Sequence, residues 1–202
     1  MLSLDEGTTA VHYARTVVTN TVTHHPTKTP SLPSTFHDKH GVFVTLHTHP
    51  DHDLRGCIGI PYPELTLKDA LTEAAHSVTH DPRFPPLDES ELDNIIVEIT
   101  VLSPPKQITV NSPQDYPKKI QVGRDGLIIE QGIYKGLLLP QVPIEEGWDA
   151  ETFLGYTCMK AGLPADAWLL PRTRLFSFTG QIFTEETPHG PIQEKHLHGP
   201  QH

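Results

Sequence analysis

Apolar residues along the chain fall into two distinct rhythms. The clearest helical one runs through Leu67, Ala70, Leu71, Ala74, Ala75 and Val78, at i, i+3, i+4, i+7, i+8 and i+11. Thr66 and Asp69 give it a start signal, and Asp81-Pro82 a stop, because the residue before proline disfavours the α region. A first helix is predicted from about Leu4 to Val18, with Ser3 and Glu6 at capping-box spacing and a weak stripe of Ala10, Ala14, Val17 and Val18. A third is predicted from Asp149 to Ala161, with Gly162 at the C-cap, followed by a short helix that opens at Pro164 and contains Trp168.

The other rhythm is that of strands. Gly41–His47 and Leu54–Ile60 flank a polar turn and read as a hairpin. Ile95–Leu102 is a strand with Glu98 at its centre. Leu127–Ile129 and Leu137–Leu139 form a further pair, and Arg174–Phe183 reads as one last strand. Helices and hairpins alternate without a regular βαβ period, so the expected class is α+β. No glycine fingerprint of a dinucleotide-binding fold is present, nor any phosphate loop, zincin motif or G-x-S-x-G element.

Composition narrows the functional classes. The 202 residues carry a net charge of −10, which argues against a nonspecific nucleic-acid binder. No apolar run approaches the ~20 residues of a membrane helix, and no signal-peptide layout opens the sequence. Two cysteines, Cys57 and Cys158, make no disulfide framework. A soluble, cytoplasmic protein is expected, with no nucleic-acid or membrane partner. Twenty prolines punctuate the chain. The cluster from His25 to Pro33 reads as a linker, and residues 188–202 read as a flexible tail or loosely held strand.

Local chemistry concentrates in Leu54-Arg55-Gly56-Cys57-Ile58-Gly59. In an extended strand, Arg55, Cys57 and Gly59 share a face. A cation beside a thiol favours the reactive thiolate, and the glycines suggest close approach of a backbone or ligand. The competing reading is a buried structural cysteine at a bend. Asp81 and Arg83, in the rigid turn after the second helix, either pair with each other or rim a pocket. Glu98 is a base if burial raises its pKa, or a water-facing side chain. His47-x-His49-x-x-His52 has metal-ligand residue types, but it sits on a hairpin tip with no second cluster. His189, His196, His198 and His202 fall in the tail. No metal site and no cofactor are expected. Cys158 shares a helix face with Leu154 and Ala161 and is expected in the core.

Six blocks in order, Leu-Arg-Gly-Cys-Ile-Gly (54–59), Asp-Pro-Arg-Phe-Pro-Pro (81–86), Glu-Ile-Thr-Val-Leu-Ser (98–103), Gly-Arg-Asp-Gly-Leu (123–127), Gly-Leu-Leu-Leu-Pro-Gln-Val (136–142) and Lys-Ala-Gly-Leu-Pro (160–164), resemble the AMMECR family, in its archaeal form. The resemblance covers nearly all of the chain to about Glu185. It implies two lobes, a smaller one of about 31–89 set within a larger one of about 1–30 and 90–187. It also implies that Arg55, Gly56, Cys57 and Gly59 lie at or near a cleft between them. It suggests a pathway shared with Memo-type and radical SAM proteins, without naming a reaction. Two readings stay open. In one the protein binds a ligand or partner through Arg55, Gly56, Gly59, Asp81 and Arg83. In the other it is an enzyme, with Cys57 as nucleophile on a small anionic substrate, Arg55 fixing the anion, and Glu98 or Asp81 handling protons.

Overall fold

The computed structural model describes residues 1–26 and 31–195. The linker reading therefore lies partly outside the described residues, as do His196, His198 and His202.

The first helix, α1, spans Leu4–Thr23, with Ser3 and Glu6 forming the expected capping box. It runs five residues past the predicted end. Its last turns are rich in threonine, a poor helix former, but Thr21 and Thr23 return their hydroxyls to the carbonyls of Val17 and Thr19. The helix stops where His24 turns left-handed. Strands β1 (Gly41–Thr48) and β2 (Leu54–Ile60) form the predicted hairpin. α2 (Leu67–Val78) begins at the Thr66 cap, and its predicted stripe is buried: Leu67, Leu71 and Ala74 have no exposed surface and Val78 only 1%. β3 covers Ile95–Leu102, and a short β4 follows at Lys106–Gln107. β5 (Gly126–Gln131) and β6 (Tyr134–Leu138) form the second hairpin. The single turn α3 (Val142–Glu145) leads to α4 (Ala150–Lys160), which Asp149 caps. The segment around Trp168 is a 3-10 turn.

The predicted final strand is two strands, β7 (Arg174–Phe178) and β8 (Gly180–Glu185). They belong to different sheets: one ordered β4-β7-β5-β6, the other β2-β1-β3-β8 and then β9 (Ile192–Lys195). The switch falls at Thr179-Gly180, a break too short to read as the end of a strand. β9, within the segment expected to be loosely held, pairs antiparallel with β8.

The class is α+β, with two antiparallel sheets and helices packed on them. The chain divides into two compact units: Met1–Leu102 with the return segment from Gln181, and Ser103–Gly180 inserted between. This differs from the lobe boundaries that the resemblance implies. β1 pairs with β3 along its whole length, and α1 packs on α2, so residues 31–89 share one core with the first helix and β3. In the first unit, Val42, Val44 and Leu46 of β1 and the alternate residues Ile95 to Val101 of β3 join α1 and α2 in that core. In the second, α4 lays Phe153, Leu154 and Cys158 against Leu127, Ile129 and Leu175.

One buried ion pair ties the first unit together. Arg15 of α1 donates to both carboxylate oxygens of Glu185 on β8. It also donates to the carbonyls of Leu92 at 3.2 Å and Ile95 at 2.7 Å, while Glu185 accepts the Val97 N–H at 2.8 Å. Removing one partner strands the other charge without water, at a cost of about 3–5 kcal/mol. Arg15→Met or Glu185→Leu alone is expected to lower stability by that order in urea unfolding. The double substitution is expected to cost clearly less than the sum, which a double-mutant cycle measures.

Candidate functional site

β2 is an edge strand, so the outward backbone groups of the 54–59 segment need partners. The 81–86 turn supplies them. The Cys57 N–H donates to Asp81 Oδ2 at 2.9 Å, and the Cys57 carbonyl accepts from Arg83 Nη2 at 3.1 Å. Arg83 in turn grips Asp81 through Nε at 3.0 Å and Nη2 at 2.7 Å. A carboxylate and a guanidinium thus stand in for the neighbouring strand. Gly56 makes the fit possible, because a Cβ there would meet Val78 Cγ2 and the Val78 carbonyl at 3.1 Å. A Cβ at Gly59 would lie 2.2 Å from the ring of Phe43, which occupies that space.

Asp81 pairs with Arg83, and its side chain is only 1% exposed. The Arg83 hydrogen bond, helped by the backbone N–H groups of Cys57 and Arg83, holds its carboxyl far below the ordinary aspartate range.

Arg55 departs from the expected alternation. Leu46 pairs with Gly56 and His47 with Leu54, which leaves Arg55 as the extra residue of a bulge. Its guanidinium makes a bidentate contact with Glu91, at 2.7 and 2.9 Å, and donates to the Pro85 carbonyl at 3.1 Å. Phe84 lies under both cations, 5.9 Å from Arg55 and 5.6 Å from Arg83. Arg55 therefore does not activate the thiol. Burial pushes the Cys57 thiol pKa up, only partly countered by Thr45 and Arg83. Cys158, in the second core, is pushed up to about 11, chiefly by burial.

The sheet register brings Cys57 and Glu98 into one row. Thr45 on β1 pairs with Cys57 on one side and Glu98 on the other, and cross-strand pairs share a face. Thr45 donates to Cys57 Sγ at 3.4 Å. Beyond it, Glu98 accepts from Lys195 Nζ at 2.9 Å, and His47 Nε2 stands 3.9 Å from its other oxygen. His47 Nδ1 is buried with no partner among the described residues. Burial raises the Glu98 pKa, but His47 and Lys195 together outweigh it, and the group sits below the ordinary glutamate range. Glu98 is thus a half-shielded carboxylate and not the raised-pKa base envisaged from the sequence.

Of the residues singled out in the sequence, Gly56, Cys57, Asp81 and Arg83 come together. Glu98 joins them through Thr45, while Arg55 turns away to Glu91 and Gly59 makes room for the Phe43 ring. Thr45, Glu91 and Lys195 went unread. The hairpin register alone would have pointed to Thr45, whereas Lys195 lies in a segment with no apolar signal. His47 turns toward Glu98, while His49 and His52 face each other at the hairpin tip, ring centroids 6.5 Å apart. His189 contacts Asp93 at 3.0 Å. Among the described residues, no group of three or more His, Cys, Asp or Glu is placed to hold a metal ion, and no helix is long and apolar enough to cross a membrane.

The two interlocked blocks, with the sheet behind them, define the class. The chain belongs to the AMMECR1 family, whose model matches residues 11–183. It is 53% identical over 198 residues to protein MJ0810 of Methanocaldococcus jannaschii, covering 98% of each chain. It is 56% identical over 169 residues to protein PYRAB00100 of Pyrococcus abyssi, covering 82% of each. The crystal structure of the uncharacterized protein PH0010 from Pyrococcus horikoshii matches with a TM-score of 0.84 at 48% identity, over 96% of this chain and 98% of that one.

The depressed Asp81 pKa has a sign. A carboxyl whose folded pKa lies below its unfolded value of about 3.9 stabilises the fold above that pH, and the contribution is lost as pH falls toward the folded value. Stability is therefore expected to drop as pH falls below about 4. Asp81→Asn should lower stability at pH 7 and flatten this acid limb, as thermal melts at a series of pH values would show. An unchanged limb would mean that the pair does not couple to folding.

Proposed function

We infer that the protein binds a ligand or protein partner through the polar face built on Cys57, Thr45 and Glu98, and that Cys57 does no covalent chemistry. The observation that carries this reading is how the 54–59 block spends its polar groups. Arg55 is held by Glu91, the Cys57 backbone by Asp81 and Arg83, and the thiol is kept protonated by burial. What remains to meet a partner is the Thr45 hydroxyl, the thiol as a neutral surface and the Glu98–Lys195 pair. Arg83, with its side chain 55% exposed, is the cation available to an anionic group, in place of Arg55. The enzyme reading needs an activated thiol and a base, and the raised thiol pKa and lowered Glu98 pKa both weigh against it. The family resemblance suggests a Memo-type protein as partner.

Two measurements test the reading. Iodoacetamide alkylation of native protein, followed by mass spectrometry, should give Cys57 an apparent pKa above the ~8.5 of free cysteine, and higher still in Thr45→Val. Calorimetric titration with a purified Memo-type protein should show binding that survives Cys57→Ser and weakens about tenfold or more on Lys195→Glu, the loss of roughly 1.4 kcal/mol. An apparent thiol pKa below 8.5, or a partner that binds Lys195→Glu unchanged, would refute it.

A further inference from the structure

Independently of that reading, the inserted unit carries a second surface. An open groove of about 470 Å³ runs along α4, with Tyr156, Met159 and Trp168 on its floor and Asp149, Glu151 and Asp166 on its rim. Met159 is 55% exposed and Tyr156 43%, so two large side chains on this helix face water. The Tyr156 ring is backed by Trp148, stacked at 4.0 Å and 4°. Stacking holds the ring as a rigid platform, and a preordered aromatic loses little entropy on contact. Met159 is the adaptable neighbour, since an unbranched thioether moulds to many partners.

The charge around the groove is mainly negative, with Lys160 at the end of α4 as the base nearest to it in the sequence. None of its described lining residues is basic, and the sequence leading into it, Glu145, Glu146, Asp149 and Glu151, adds to the same negative field. Asp149 spends one oxygen on the Thr152 N–H, which caps α4, and keeps its charge. Glu151 and Asp166 are exposed, and no ion pair involving either is present among the described residues. Such a surface repels anionic ligands and attracts cations attached to apolar matter.

We propose that this groove receives a basic segment of a partner protein. An arginine or lysine lies along Tyr156 toward Glu151 and Asp166, and a neighbouring apolar side chain rests on Met159 and Trp168. A guanidinium over an aromatic face gains cation–π attraction, and carboxylates within reach add charge-assisted hydrogen bonds. Apolar side chains flanking the cation match the floor.

The test is a heteronuclear NMR titration of the full chain with a short acetylated, amidated peptide alternating arginine and leucine. Its counterpart with glutamate in place of arginine, and arginine methyl ester alone, serve as controls. The expected result is saturable shifts confined to Tyr156, Met159, Trp168 and their neighbours, with the basic peptide only. Affinity should fall as NaCl rises from roughly 50 to 200 mM, and by about tenfold in a Glu151→Gln/Asp166→Asn variant whose melting temperature is unchanged. Tyr156→Leu, which keeps the apolar floor, should weaken the peptide as well. Shifts scattered over the surface, equal binding of the glutamate peptide, or full affinity in the double variant would overturn the proposal. Binding of arginine methyl ester as tight as that of the peptide would overturn it too, in favour of a small-molecule pocket.

Discussion

The sheet that carries the polar face depends on a charge that has no water. Arg15 and Glu185 are 8% and 1% exposed, so each is tolerable only because the other is there, with backbone partners taking up the remaining hydrogen-bonding capacity. Their contact joins α1 to β8, and the Val97 N–H joins the same carboxylate to β3. β8 carries β9, and β9 carries Lys195, which meets Glu98. A pair on the core side thus positions a cation on the opposite side of the same sheet. The Lys195 contact of Glu98 thus depends on an interaction that Glu98 never touches.

The family blocks at 54–59 and 81–86 read differently once their contacts are known. Residues that suggest chemistry, an arginine two residues before a cysteine with glycines close by, largely hold the two blocks together. Gly56 permits the approach of Val78, and Asp81 with Arg83 closes the edge of β2 as another strand would. Cation and thiol, two residues apart in the sequence, belong to separate networks because a single extra residue in the ladder sends Arg55 to Glu91. The polar face draws instead on three other strands: Thr45 of the neighbouring β1, and Glu98 and Lys195 from farther along the chain.

Much of the fold was legible because its elements carry local signals. α2 has an uninterrupted 3.6-residue period between a threonine cap and a proline stop, and its stripe is fully buried. β3 has the limits read from its apolar run. What stayed hidden was non-local. The division of Arg174–Phe183 between two sheets is marked only by Thr179-Gly180, because strand-like residues resume directly on the other side. Strand β9 lacks apolar density and exists because β8 offers it an edge. Of the site, residue types were visible, but their roles were not: register decides which side chains share a face, and a bulge overrules alternation.

The order of the strands also constrains how the chain can be assembled. The first unit's sheet is interrupted after β3, and its missing strands come only after residues 103–180 have been made. During synthesis from the N-terminus, the far side of β3 is an open hydrogen-bonding edge and Arg15 has no counter-ion. The inserted unit meanwhile has all of its own strands and can fold first, since domains generally fold as units. Closing the first sheet then brings Glu185 to Arg15, 170 residues away, the kind of long-range contact that slows folding. A nascent chain stalled at residue 180 would present an unfinished, aggregation-prone edge on β3.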